Sequence, residues 1–253
     1  MLKIFRKIRY NLMSENKTGS SAETSVKAGK YLKYAIGEII LVVIGILIAL
    51  SINNWNEGRK NNLKESLLVK NIIEDLRLDS IQISQSLNEL ADQIHVVDDL
   101  IVKAFDSEKI LNYDLMGLVR YSSDFRPISQ RNHAESVSNL ENEFTRKILQ
   151  NYFLEEDKVI DIFKEYEDII HNKIRPFLSD VGMHNLKSLY ESQSDENLQV
   201  LLQPTILEEQ LRNVKFQQLL FERRLKTGAF ERLLNELKMD NQELIKTLSL
   251  NNN

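Results

Sequence analysis

Residues 69–104 read VKNIIEDLRLDSIQISQSLNELADQIHVVDDLIVKA, and their periodicity decides the fold. Val69, Ile73, Leu76, Ser80, Ile83, Leu87, Leu90, Ile94, Val97, Ile101 and Ala104 recur at alternating steps of four and three. All but Ser80 are apolar, which is the 3.5-residue period of a coiled-coil or bundle seam. No proline or glycine interrupts the run. At 1.5 Å per residue it predicts a rod of about 53 Å.

On the C-terminal side the pattern continues in shorter pieces. A stretch around Leu111–Tyr121 reads as helix, Arg126-Pro127 ends it, and helix resumes from about Glu135. Phe144, Ile148, Tyr152, Val159, Phe163, Tyr166, Ile170 and Phe177 form an aromatic-rich face up to Pro176 and Gly182. Aromatics at helical spacing are ordinary core residues, so this face reads as packing rather than a ligand cage. A helix near Met183–Tyr190 and the polar loop SQSDEN follow. Pro204-Thr205 with Glu208 reads as a capping box that opens the last long helix. That helix shows one seam at Leu207, Leu211, Val214, Gln218, Phe221 and Leu225, and a second at Phe230, Leu234, Leu237, Asn241, Leu244 and Leu248. The step of five between them contains Gly228, which predicts a kink or phase shift there. Gln218 and Asn241 read as polar, register-setting seam positions. With 8 Gly and 3 Pro in 253 residues the chain lacks the turns a sheet needs. The expected fold is all-α: a single N-terminal transmembrane helix followed by an elongated antiparallel helical bundle with coiled-coil seams.

On the N-terminal side lies the most apolar stretch, Ile39–Leu50, extended by Ile36 and Ile52. Seventeen residues from Ile36 to Ile52 rise about 25 Å, slightly short of a hydrocarbon core of about 30 Å. Tyr31 and Tyr34 before the span, Trp55 after it and a snorkelling Lys33 close the gap. The anchor is thus Tyr31, Lys33 and Tyr34, then Ile39, Leu41, Val43, Gly45, Leu47, Ala49 and Ile52, then Trp55. A buried core helix and a signal peptide, for which Ala49 and Ser51 resemble a small-x-small cleavage site, are the competing readings.

Charge divides the same way. Residues 1–35 hold eight Lys or Arg against Glu15 and Glu23, a net +6, so the rest of a chain of net charge −4 carries −10. Basic residues near the span are balanced, but Lys3, Arg6, Lys7 and Arg9 add to the N-terminal side, which favours a cytoplasmic N-terminus and an exported domain in the inner membrane. Within 1–35, residues 1–13 make a basic amphipathic helix suited to an anionic leaflet, and 14–30 a flexible linker. Residues 36–55 are the membrane helix and 56–253 the exported bundle. Nucleic acid is not an expected partner of this basic tail, because the bilayer lies only a linker away.

The run YAIGEIILVVIGILIALSINNWNE at 34–57 resembles the hallmark of a family of uncharacterised single-pass membrane proteins of the Bacteroidota. In that family a short basic leader like MLKIFRKIRYNL and NKTG precedes the same kind of apolar segment. Here SSAETSVKAG looks inserted before KYLKYAIGE. The resemblance is strong up to about residue 60 and loose beyond, and it implies a location and a helical domain but no activity.

Chemistry-bearing motifs are few. Zero cysteines exclude a disulfide framework, a thiolate zinc site and a Cys nucleophile. There is no phosphate-binding glycine loop, no HExxH helix and no GxSxG elbow. Asp92-x-x-His95 and Asp168-x-x-His171 have the spacing of di-iron bundle ligands, but Ile94 on the seam leaves Asp92 off it, so they read as a solvated face. No cofactor, metal or catalytic residue is expected, and the chain does not read as an enzyme. It reads as a membrane-anchored interaction or scaffold module of the envelope, partnered by the bilayer and by another envelope protein or itself, including through Gly45-x-x-x-Ala49. The alternative is a ligand-sensing bundle acting through a partner protein, and a di-metal enzyme stands third.

Overall fold

The computed structural model describes residues 24–191 and 200–251; residues 1–23, with the expected amphipathic helix, and the SQSDEN loop lie outside them. Two compact units divide the chain at Leu63 and Lys64. Both draw on α1 (Thr24–Phe105), a helix that takes in Thr24–Lys30, where the sequence suggested linker.

In the first unit every side chain from Ala35 to Leu50 is exposed. Its most apolar 18-residue window has a mean hydropathy of 2.8 and none of it is buried, so by length and composition it can cross a membrane, and it is not a core helix. Asn53 Nδ2 donates to Glu57 Oε1 at 3.2 Å, and the Arg59 guanidinium lies 5.9 Å from the Trp55 ring.

The second unit is all-α, with α1 joined by α2 (Tyr113–Met116), a 3₁₀ turn (Gly117–Arg120), α3 (Ile128–Ser138), α4 (Glu143–Asp168), a π-helical segment (Ile169–Ile174), α5 (Arg175–Asp180), α6 (Leu186–Glu191), α7 (Pro204–Gln210) and α8 (Val214–Asn251). Asn241 of α8 donates to the Leu76 carbonyl of α1 (3.1 Å) and to the Tyr152 hydroxyl of α4 (3.0 Å), while Arg223, earlier on α8, reaches Gln93, later on α1. α8 is therefore antiparallel to α1 and α4, which run parallel to each other. Two parallel helices need a return connection, and residues 106–142 supply it.

Local chemistry accounts for the breaks. Pro127 is the N-cap of α3 and offers no capping side chain; Asp79 of α1 takes the Ile128 and Ser129 N–H groups instead, and α3 starts at Ile128 rather than near Glu135. Asn142 caps α4, its Oδ1 accepting the Thr145 N–H at 3.0 Å. Pro176 does not end the aromatic helix. It lacks an N–H for the carbonyl four residues back, and just before it the Arg175 N–H bonds to Ile170 O, the π register. The stop is Gly182 at φ 66°, with the Met183 N–H on Leu178 O at 2.9 Å closing a Schellman turn. The capping box is not formed. Gln203 occupies the N-cap of α7 without a side-chain bond to the helix, and Glu208 is taken by the Tyr113 hydroxyl and by Lys103 at 3.7 Å. α7 ends at Gln210, and α8 then runs without a break through Gly228.

Two apolar clusters fill the unit. One is built from Ile72, Leu76, Ile83 and Leu90, Leu149, Val159 and Phe163, and Phe230, Leu234 and Leu237; its ring trio Phe163, Tyr166 and Phe230 has centroids 5.2–6.2 Å apart. The other gathers Val96, Val97 and Leu100 with Met116, Leu178, Leu207 and the stacked Phe177–Phe216 pair at 5.1 Å. Each fully buried Leu or Phe contributes about 1.5–3 kcal/mol.

These glycines separate by substitution. Gly228→Ala meets only the movable tip of Arg224 and should raise the unfolding free energy by about 0.5–1 kcal/mol. Gly182→Ala, forced into a left-handed backbone, should lower it by about 1–2 kcal/mol. Urea unfolding of the two variants checks both signs.

Candidate functional site: a polar seam inside the bundle

The buried stripe of α1 only partly follows the one its hydropathy suggests. Val69, Ile73, Leu76, Ile83, Leu90 and Val97 are buried, but Leu87, Ile94 and Ile101 are only half-buried. The deeper line is Ile72, Leu76, Asp79, Ile83, Ser86, Leu90, Gln93, Val97 and Leu100, again in steps of four and three. At alternate positions it lies one residue earlier than the apolar reading and carries three polar side chains seven residues apart.

Those three polar groups hold the return connection. Gln93 Nε2 donates to Ser123 Oγ (3.0 Å), Ser86 Oγ donates to the Asp124 carbonyl (2.6 Å), and Asp79 accepts the Ile128 and Ser129 N–H groups (2.7 and 3.0 Å). Between and beyond them, Gln82 accepts the Arg126 N–H (3.3 Å), Asp75 accepts Asn132 (2.8 Å), and Glu65 accepts the Glu141 and Asn142 N–H groups (3.1 and 3.0 Å). The connection therefore runs back along α1 for most of its length. Its extended backbone gains from α1 the partners that secondary structure does not provide.

α8 is likewise offset from its apolar reading. Phe216, Leu220, Arg223, Thr227, Phe230, Leu234, Leu237, Asn241, Leu244 and Leu248 are buried in one unbroken pattern of fours and threes. Val214, Gln218, Phe221 and Leu225 are exposed, so there is no phase shift at Gly228. Asn241 is at a buried position as expected; Gln218 is not. On α4 and into the π-helical segment the pattern is Thr145, Leu149, Tyr152, Glu156, Val159, Phe163, Tyr166 and Ile170, and Phe144 is 55% exposed.

Two polar layers result. In one, the Tyr166 hydroxyl donates to Gln93 Oε1 (2.6 Å) and accepts the Ser123 N–H (2.9 Å), while Arg223 Nη2 reaches Gln93 Oε1, the Leu118 carbonyl and the Tyr121 carbonyl at 3.1–3.2 Å. Arg223 is fully buried, and its Nε and Nη1 have no hydrogen-bond partner among the described residues. Burial pulls its basicity down to about 10, against the attraction of Tyr166. On α1 this layer falls between Leu90 of one apolar cluster and Val96 of the other, and on α8 between Phe230 and Leu220. In the second layer Ser129 Oγ donates to Glu156 Oε1 at 3.1 Å, beside Asp79, Tyr152 and Asn241.

The remaining sequence candidates lie elsewhere. Asp92, His95, Asp168 and His171 are exposed, and among the described residues no three His, Cys, Asp or Glu converge on a metal position. Of the anchor set, Ile39, Leu41, Val43, Gly45, Leu47, Ala49, Ile52 and Trp55 are exposed, while Tyr31, Lys33 and Tyr34 belong to α1. A groove of about 360 Å³ along Ile44, Leu47, Ile48, Ser51, Ile52 and Trp55 is the side-chain relief of that one helix. Large exposed apolar residues in the second unit include Phe105, Ile110, Leu186, Tyr190 and Val214, 68–88% exposed, on or next to the elements that enclose the second apolar cluster.

A family described as "Family of unknown function (DUF6090)" matches residues 38–126. The matched part takes in the apolar segment, the polar stripe of α1 and the connection as far as Arg126, so Gln93, Ser86 and their acceptors Ser123 and Asp124 all fall inside it. No curated protein and no solved structure matches the chain.

The offset of the seams is directly testable. Arg223→Ala removes a buried hydrogen-bonded side chain and should cost about 3 kcal/mol. Phe221→Ala, two residues away and 52% exposed, should change stability by no more than about 0.5 kcal/mol. Denaturant midpoints that rank the two the other way would restore the apolar seam.

Proposed function

We propose that the chain is a membrane-anchored helical interaction module of the cell envelope, held in the inner membrane by residues 36–55 with its N-terminus cytoplasmic. What carries the anchoring is the uncovered apolar window of α1: so much exposed Ile, Leu and Val is at home only against lipid. The collar of Trp55 and Arg59 and the basic residues of 1–35 support the same placement, as does the resemblance of 34–57 to single-pass membrane proteins. Val43→Arg with Leu47→Arg puts two charges at mid-span, at about 2.5–3.5 kcal/mol each. The doubly substituted chain should leave the membrane pellet on alkaline carbonate extraction while the unaltered chain stays. A periplasm-dependent reporter fused after Asn253 should be active.

The interaction role rests on Phe105, Ile110, Leu186, Tyr190 and Val214, which offer a partner apolar area that solvent does not favour. Photo-crosslinking from Ile110 and Tyr190 in native membranes should recover one dominant envelope protein, and crosslinking from exposed Lys147 should not. Capture of the chain alone would instead favour self-association, for which Gly45 and Ala49 offer a close-approach face. A ligand-sensing role through a partner is the second reading, favoured by the buried and incompletely partnered Arg223. It requires that a small anion raise the melting temperature of the unaltered chain and leave that of Arg223→Met unchanged.

A further inference from the structure

α3 is attached to its neighbours chiefly through carboxyl groups, with Val137 its one buried apolar side chain and Phe125 and Leu140 buried just outside its two ends. Of Ile128–Ser138 only Ser129 and Val137 are buried. From α1, Asp79 holds the Ile128 and Ser129 N–H groups, and Asp75 holds Asn132 and His133, the latter at 2.9 Å. From α4, Glu156 accepts the Ser129 hydroxyl, and Asp157 accepts Gln130 Nε2 at 2.8 Å. Asp79 and Glu156 are fully buried, and among the described residues no cation is ion-paired to either. Glu156 Oε2 is closed to solvent and has no hydrogen bond of ordinary geometry there, with the Tyr152 hydroxyl its near neighbour.

The surroundings of Glu156 are acidic or neutral on every side. α1 presents Asp75 and Asp79, and α4 presents Tyr152 and Asp157, with Glu155 tied to Lys158 at 2.7 Å. α8 presents neutral Asn241, and its Asp240 lies near Glu155. On α3, His133 is engaged by Asp75, while Arg131 and Glu135 are exposed. Burial first, and the Asp79 charge second, push the Glu156 carboxyl up to about 8, against the pull of the Ser129 and Tyr152 hydroxyls. Asp79 is the group whose negative charge suits the site, since it faces the N-terminus of α3.

We propose that α3 is a proton-held strap, closed over α1 and α4 while Glu156 is protonated and opening, with α1, α4 and α8 still packed together, as that proton is lost. Opening returns Glu156 to water and to its ordinary value of 4.5. The closed state therefore binds the proton more tightly than the open one. The opening constant is lowest below about pH 4.5, rises up to tenfold per pH unit from there to about 8, and levels off above. The aromatic packing of α4 on α8 involves none of the α3 contacts, so it does not share this dependence.

Hydrogen exchange of the full chain in detergent, corrected for intrinsic rates from about pH 5 to about pH 9, tests the strap. Amides of Ile128–Ser138 should lose protection by up to tenfold per pH unit and then plateau near 8, while those of Leu234–Leu248 stay flat. Glu156→Gln keeps the neutral shape and should abolish the slope; His133→Gln should leave it. In the unaltered protein, the infrared C=O band of a buried protonated carboxyl should persist through the sloping range and fade near pH 8, where protection levels off, and it should be missing from Glu156→Gln. A slope that survives Glu156→Gln, one that vanishes in His133→Gln, or equal loss of protection in α8 would overturn the proposal.

Discussion

The return connection between two parallel helices is the constraint on which the bundle depends. α1 and α4 run the same way, so the chain must travel back between them, and ahead of α3, from Tyr121 to Pro127, it does so without regular secondary structure. Such backbone cannot enter an apolar interior without partners for its N–H and C=O groups. On α1, Asp79 and Ser86 are such partners, and one heptad further Gln93 holds the Ser123 hydroxyl while Tyr166 takes the Ser123 N–H. Arg223 supplies another from α8 by collecting the Leu118 and Tyr121 carbonyls.

Polar groups in a core lower stability relative to a well-packed apolar one, but they punish a wrong register more severely. A slip of one heptad along α1 would preserve most apolar contacts, because Leu76, Ile83, Leu90 and Val97 repeat every seven residues. It would leave the Arg223 guanidinium facing Ser86 or Leu100 instead of Gln93. The Gln93–Tyr166–Arg223 layer, set between the two apolar clusters, therefore fixes the alignment of three helices at once. Asn241, bridging Leu76 and Tyr152, does the same nearer the other end of the seam.

The same polar seams explain which parts of the fold were legible in the sequence. Helix content, the apolar segment, the break at Gly182 and the buried position of Asn241 follow from period, composition and turn chemistry. The seam on α8 did not, because Arg223 and Thr227 look like surface residues beside Phe221 and Leu225. Following the apolar pair produced a phase shift at Gly228 that the backbone does not have. Leu87, Ile94 and Ile101 misled in the same way on α1. A signal was present: with polar residues admitted, the spacing from Phe216 to Leu248 and from Ile72 to Leu100 is an unbroken four-three pattern. Thr205 and Glu208 have capping-box spacing, but Tyr113 and Lys103 come from distant positions to occupy the carboxylate.

By itself the sequence determined an all-α chain with one apolar segment, a basic leader and an acidic remainder, since these follow from local propensity and from sums over residues. Only the tertiary structure decided which face of each helix turns inward. Hydropathy ranks a side chain by its cost of leaving water alone, whereas the cost that counts is that of leaving water for a partner. For Arg223 the partners are Gln93 and the carbonyls of a connection more than a hundred residues earlier, which no local window contains.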